Sequence, residues 1–228
     1  MSRPHPDTPT AGVPVDTAVI DIDGTLVDTN YQHSLAWFRA FRRFDVTLPV
    51  WRLHCAIGMG GDQLVAAVAG DRFEDEHGDD VRDAWKEEFD PMLAEIQPFG
   101  GVRELLAAVR DAGLKVVLAS SGAPDHVDSY LDLFDGRTLA DAWTSSEDVD
   151  RTKPEPDLIS VAMERVGGTA AVVVGDSVWD FRAAGRAGQV GYAIRTGGFS
   201  DAELREAGAR EVFDSLPELH QALDRILG

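Results

Sequence analysis

The sequence predicts an α/β protein: a parallel sheet covered by helices on both faces, with an all-helical block inserted after the first strand. Three observations predict it. From residue 101 onward, apolar runs of strand length alternate with segments of helical periodicity, the pattern of a parallel sheet with crossover helices. Between residues 30 and 95 no convincing strand appears. Three of the strand-like runs end in polar clusters: Asp21-Ile22-Asp23, Ser120-Ser121-Gly122 and Gly175-Asp176-Ser177. In open α/β sheets ligands bind beyond the carboxyl ends of the strands, so parallel packing would gather these three clusters at one edge.

Residues 1–14, rich in Pro and polar residues, read as a flexible tail. Residues 16–20 are a short apolar run expected to be a buried strand. Helices are expected over 31–44, 62–69 and 79–96. The first of these carries Leu35, Trp37, Phe38, Phe41 and Phe44, mostly at helical spacing. A helix over 101–112 should end at Gly113, and strand 115–120 and helix 124–134 follow. A weaker strand is expected near 138–144, then helix 155–166, ended by Gly167-Gly168. Strand 170–175, helix 178–187, strand 190–194, helix 201–207, strand 210–213 and helix 215–227 complete the chain. The expected organisation is a Rossmann-like parallel-sheet core, residues 15–29 and 96–228, with residues 30–95 as a helical cap. Hinges are expected near 28–32 and 94–100, where Pro98, Gly100 and Gly101 mark a break.

Composition narrows the chemistry. Forty acidic residues against 21 Lys and Arg give a formal charge of −19, which repels nucleic acid and anionic lipid. It would also repel a phosphorylated small molecule, so a phosphate site here must bring strong local positive charge. The lysines are Lys86, Lys115 and Lys153, so the setting of each carries information. No apolar run is long enough to span a membrane, and the N-terminal residues lack the apolar stretch of a secretory signal; a cytoplasmic protein is expected. Cys55 is the single cysteine, which excludes an intrachain disulfide and a cysteine metal cluster; a buried structural role is expected for it.

The string IDIDGTLVDT at 20–29 is the most informative segment. Residues i and i+2 of an extended chain point to one side, so Asp21 and Asp23 can face one site. Two carboxylates at the end of a buried strand are costly unless compensated, and a divalent cation would compensate them. A lone DxD would read as a polar turn at Gly24; the full string is far more specific. It resembles the first motif of the haloacid-dehalogenase-like superfamily. Ser120-Ser121-Gly122, Lys153-Pro154-Glu155-Pro156 and Gly175-Asp176-Ser177-Val178-Trp179-Asp180 resemble its second, third and fourth motifs, in family order. Taken alone, the Ser-Ser-Gly turn is a weak signal, Asp176 could be a helix N-cap, and Asp180 an exposed first-turn acid.

The resemblance implies a phosphatase of the phosphoglycolate phosphatase-like or β-phosphoglucomutase-like branch. It makes Asp21 the nucleophile and Asp23 the general acid/base, with Thr25 positioning Asp23. Ser120 would bind the phosphoryl group by its hydroxyl, with the backbone of Ser121 assisting. Lys153 would pair with Asp21 and the phosphoryl group. Mg2+ would be held by Asp21, the backbone oxygen of Asp23 and Asp176, while Asp180 supports the metal shell or orients Lys153. Dehalogenases of the family lack the second Asp, so Asp23 favours phosphoryl transfer. Lys86, in a charged helical stretch, reads as a solvated surface residue rather than an imine-forming amine. A sugar phosphomutase remains the alternative enzyme, and a non-catalytic phosphate-binding module the alternative class. In the loop 52–61, the backbone of Gly58-Met59-Gly60-Gly61 could approach a substrate. Arg52 and His54 read more readily as surface residues than as substrate contacts.

Overall fold

The computed structural model describes residues 14–227. Residues 1–13 of the expected tail lie outside the described residues. Six strands form one parallel sheet: β1 (Thr17–Asp21), β2 (Lys115–Ala119), β3 (Ala142–Thr144), β4 (Ala171–Gly175), β5 (Val190–Ile194) and β6 (Ala209–Phe213). Their spatial order is β3-β2-β1-β4-β5-β6, with β1 central and every pairing parallel. The expected α/β class and parallel sheet are therefore present.

Strand alternation explains the layers. One face of the sheet carries Ala18, Ile20, Val116, Leu118, Val172 and Val174 against α5 (Val102–Asp111) and α11 (Leu216–Gln221). The other face carries Val19, Val117, Ala119 and Val173 against α8 (Asp157–Val166) and α9 (Val178–Arg186). With both faces covered, the strands read as unbroken apolar runs. Each fully buried aliphatic side chain contributes about 1.5–3 kcal/mol. The remaining helices of this part are α6 (Pro124–Leu133), α7 (Gly136–Leu139), α10 (Asp201–Ala207) and α12 (Leu223–Leu227).

Between β1 and β2 lie α1 (Asn30–Arg42), α2 (Val50–His54), α3 (Gly61–Ala69), α4 (Asp71–Phe89) and a 3-10 helix at Asp90–Glu95. They enclose a hydrophobic cluster of their own, built on Trp37, Phe41, Leu53, Leu64, Val65 and Val81. The two chain passages joining this block to the sheet run side by side. Asp28 N donates to Gln97 O at 3.0 Å, and Phe99 N donates to Leu26 O at 2.9 Å. Val27 and Pro98 form an antiparallel bridge at the break expected from Pro98.

Several boundaries differ from expectation. Helix α4 starts eight residues before the expected 79, because its charged first half is anchored by Phe73 and His77 against Phe44. It stops at Phe89: Pro91 cannot continue the i→i−4 pattern, and the chain tightens into the 3-10 turn. Helix α2 was not expected; five residues are too few to show a period. The expected strand near 138–144 is the short α7 followed by β3, and the expected last helix is the pair α11 and α12. Cys55 is exposed, contrary to the expected burial: it is the C-cap of α2, where its side chain reaches the surface.

Candidate active site

The register of the central strands brings the polar clusters together. Asp21 pairs with Ala119, so Ser120 begins where β2 ends beside it; Ile20 pairs with Val174, one step before Gly175-Asp176. A cavity of about 450 Å³ opens over this edge. Asp21, Asp23, Ser121 and Lys153 line it from the sheet side; His33, Met59 and Trp85 line it from the helical block.

Asp21 is only 5% exposed and lies among charges. Its Oδ1 accepts a short bond from Lys153 Nζ, which also pairs with Asp180 Oδ1 at 2.7 Å. The Thr25 hydroxyl lies 3.0 Å from Asp21 Oδ2 and 2.9 Å from Asp176 Oδ1, so its single proton serves both carboxylates. Asn30 Nδ2 donates to Asp176 Oδ2 at 2.8 Å. Asp180 completes a capping box at the start of α9, where it accepts from Ser177 N at 3.0 Å and Ser177 Oγ at 2.6 Å.

Carboxylate oxygens of Asp21, Asp176 and Asp180 all lie within 4.8 Å of one another, and all three residues are buried. Burial pushes Asp21 well above the usual carboxylate range; Lys153 opposes this, and Asp180 and Asp176 add to it. Burial, with the Asp180 charge, pushes Asp176 up to about 7. Burial alone would lower Lys153, but the carboxylates of Asp180 and Asp21 hold its ammonium firmly charged. Three carboxylates against one ammonium leave two negative charges in a dry site, and oxygen donors of this kind fit a divalent cation.

Asp23 lines the same cavity, as the expectation that Asp21 and Asp23 share one site requires, but its carboxylate takes different partners. Oδ1 faces His33 Nε2 at 3.0 Å and Thr29 Oγ1 at 3.3 Å, and Oδ2 accepts from Ser120 Oγ at 2.7 Å. Burial would raise this carboxyl, but the hydrogen bonds from His33 and Ser120 hold it at about 2. Two placements depart from the sequence reading. Thr25 positions Asp21 and Asp176 rather than Asp23. Ser120, fully buried, turns its hydroxyl to Asp23 and accepts from Gly122 N at 2.8 Å, so Ser121 and Gly122 are what this turn presents to the cavity.

Other residues at the site were not singled out by sequence. His33 is held by stacking on Phe89, with ring centroids 4.1 Å apart. Asn30 opens α1, a polar residue just past the DxDGTLxDT string, and that adjacency was its only signal. Asp62 accepts from Thr152 Oγ1 at 2.5 Å and Thr152 N at 3.1 Å, next to Lys153. The helical block meets the sheet side closely here: Gly60 N donates to Thr152 Oγ1 at 3.0 Å, and a Cβ on Gly60 would lie 2.4 Å from that oxygen. The loop expected to approach a substrate, Gly58 to Gly61, lines the cavity together with Met59, whereas Arg52 is exposed and His54 stacks on Tyr31. Lys86 keeps much of its side chain in solvent, as a surface residue would, yet it also lines the cavity and pairs with Asp125 of α6 at 2.5 Å and Asp90 at 3.5 Å.

A family model described as haloacid dehalogenase-like hydrolase matches residues 15–188, and the chain belongs to this family. Its relatives include an N-acetylmuramic acid 6-phosphate phosphatase of Pseudomonas aeruginosa, 26% identical, covering 92% of this chain and 95% of the relative. A phosphoglycolate phosphatase of Caulobacter vibrioides is 27% identical over 92% of each chain. A hydrolase from Pseudomonas syringae superposes with a TM-score of 0.88 at 29% identity, covering 93% of this chain and 100% of that one. A candidate β-phosphoglucomutase from Bacteroides vulgatus shares the fold, with a TM-score of 0.84 at 22% identity over 94% of this chain and 89% of that one. The expected enzyme class, a phosphoric monoester hydrolase, is thus borne out. Among the described residues, no helix is long and apolar enough to cross a membrane.

Proposed function

We propose that this chain hydrolyses a small phosphorylated metabolite with the help of a divalent cation, through an aspartyl-phosphate on Asp21. The observation that carries the reading is the setting of Asp21: a buried carboxylate on the cavity wall, fixed by Lys153 and Thr25, beside Asp176 and Asp180. Asp21 and Asp176, with the backbone oxygen of Asp23, would hold Mg2+, while Asp180 is engaged with Lys153 and Ser177. When bound, the ion would offset negative charge on the cluster and on the phosphoryl oxygens.

An oxygen of Asp21 attacks phosphorus, and the bond from phosphorus to the leaving oxygen breaks. Asp23 gives that oxygen a proton, then takes one from the water that cleaves the acyl phosphate, which releases inorganic phosphate and restores Asp21. In the resting site Asp23 is ionised. An arriving phosphoryl group adds negative charge beside it and drives it toward the protonated form that the first step uses. Lys153 neutralises charge on Asp21 and the phosphoryl group, with Asp180 aiming its ammonium. Residues 30–95 act as a cap that shapes the cavity around the leaving group. The relatives differ in the phosphate esters they are named for, so the leaving group is not carried over from them.

The test is Asp21→Asn, assayed on an aryl phosphate with Mg2+. An amide cannot form the phosphoenzyme, so turnover should drop by about 10³-fold or more with the thermal midpoint retained. Phosphate release near the wild-type rate would overturn the mechanism. Assaying sugar-phosphate isomerisation beside phosphate release separates a phosphatase from a mutase.

A further inference from the structure

We infer that the cavity selects phosphate monoesters whose leaving group carries no negative charge, namely hydroxyl- or amine-bearing molecules, and rejects esters carrying a carboxylate or a second phosphate. This rests on the phosphatase reading and adds the substrate class.

The argument is a charge count around the cavity. Its lining offers three side chains that are permanently cationic near neutral pH, and each is outnumbered by its own carboxylates. Lys153 is bound by Asp21 and Asp180. Arg82 is bound by Glu74 and Asp79, both at 2.8 Å. Lys86 is bound by Asp125 and Asp90. His33 faces Asp23. A substrate carboxylate that drew Lys86 or Arg82 to itself would break ion pairs those cations already make, so the exchange gains little.

The same lining carries Asp83 and Asp150, both exposed at the cavity and without a hydrogen bond or ion pair among the described residues. Their negative field enters a cleft walled on other sides by Trp37, Ile57 and Met59, where low polarisability strengthens it. Hydroxyl or ammonium groups of a leaving group meet acceptors there; an anion meets repulsion and an unpaired desolvation cost. Discrimination by repulsion needs no tight complementary contact.

The experiment uses three six-carbon phosphate esters whose leaving groups are cationic, neutral and anionic: glucosamine 6-phosphate, glucose 6-phosphate and 6-phosphogluconate. Each competes with p-nitrophenyl phosphate in the Mg2+-loaded enzyme, and KI is read, so the comparison does not depend on turnover of the sugar. The expected order of KI is amine, then neutral, then acid, with about tenfold or more between the first and last at low salt and a smaller ratio at high salt. In Asp83→Asn with Asp150→Asn the ratio should shrink several-fold. Equal KI values, or tighter binding of 6-phosphogluconate, would overturn the inference and leave the phosphatase reading intact. Absence of p-nitrophenyl phosphate hydrolysis would overturn both.

Discussion

Asp62→Ala removes two of the hydrogen bonds that tie the helical block to the loop carrying Lys153, leaving the one from Gly60 N to Thr152 Oγ1. Asp62 accepts from both the hydroxyl and the backbone N–H of Thr152. A hydrogen bond to a charged group contributes about 1.5–3 kcal/mol when buried. Asp62 is at the cavity rim and exposed, so about 1 kcal/mol each is the better figure, or about 2 kcal/mol for the pair. That corresponds to a fall in the closed fraction of up to about 30-fold. Closure matters most for a substrate that touches both walls of the cavity, and least for a small aryl phosphate with a good leaving group. Parallel kinetics should therefore show KM for a sugar phosphate rising about tenfold or more while p-nitrophenyl phosphate changes by less than about threefold. Thr152→Val deletes the shared bond and the acceptor of Gly60 N, but keeps the bond from Thr152 N to Asp62, so the double variant should be worse than either single yet less than additive. Equal losses on both substrates would mean that Asp62 acts by placing Lys153. No loss on either would mean that the Asp62–Thr152 contact does not govern closure; either result refutes the reasoning.

Two further outcomes follow from the same geometry. His33→Phe keeps the stacking on Phe89 but removes a hydrogen bond that holds Asp23 at about 2. Asp23 should then ionise at higher pH, and the alkaline limb of the kcat/KM profile, set by loss of the proton it gives the leaving oxygen, should move upward; an unmoved limb would show that His33 does not tune Asp23. In the metal-free protein, burial raises Asp176 to about 7 and raises Asp21 as well, so the folded state binds protons more tightly than the unfolded chain. The stability this confers is full at low pH and lost as pH rises toward 7. Mg2+ should accordingly raise the thermal midpoint more at pH 8 than at pH 5.5, and an equal increment at both would contradict a carboxylate cation site.

What was legible in the sequence was local. The DxDGTLxD string, the apolar runs that end in Ser120 and Gly175, and the proline after Lys153 each fit within about ten residues, where spacing reports geometry. A parallel sheet then delivers their ends to one edge, as the register of β1 with β2 and β4 shows. What was not legible depends on side chains meeting across long separations. Asn30 reaches Asp176 over 146 residues, and Asp62 reaches Thr152 over 90. No periodicity encodes such a meeting, and the charged stretch that forms the first half of α4 hid its helix for the same reason: its few apolar anchors are contacts to another helix.

The different partners of Asp21 and Asp23 show where the local rule stops. Two-residue alternation places them on one side only while the chain stays extended, and β1 ends at Asp21. From Ile22 the backbone folds back on itself: Leu26 N donates to Ile22 O at 2.8 Å, and Gly24 N donates to Val27 O at 2.9 Å. This turn swings Thr25 under Asp21 and Asp176 and leaves Asp23 facing Ser120 and the first turn of α1. The consequence is chemical. Asp21 sits in a crowd of buried carboxylates that favours a cation, whereas Asp23 is held as a carboxylate by neutral donors and a histidine from the helical block. Two aspartates two residues apart thus acquire different proton affinities from their surroundings, and the proposed roles would require that order to reverse once a cation lowers Asp21 and a phosphoryl group raises Asp23. Because His33 belongs to α1, any movement of the helical block away from the sheet would also release Asp23, and on the proposed reading would couple closure over the substrate to the state of the proposed acid/base.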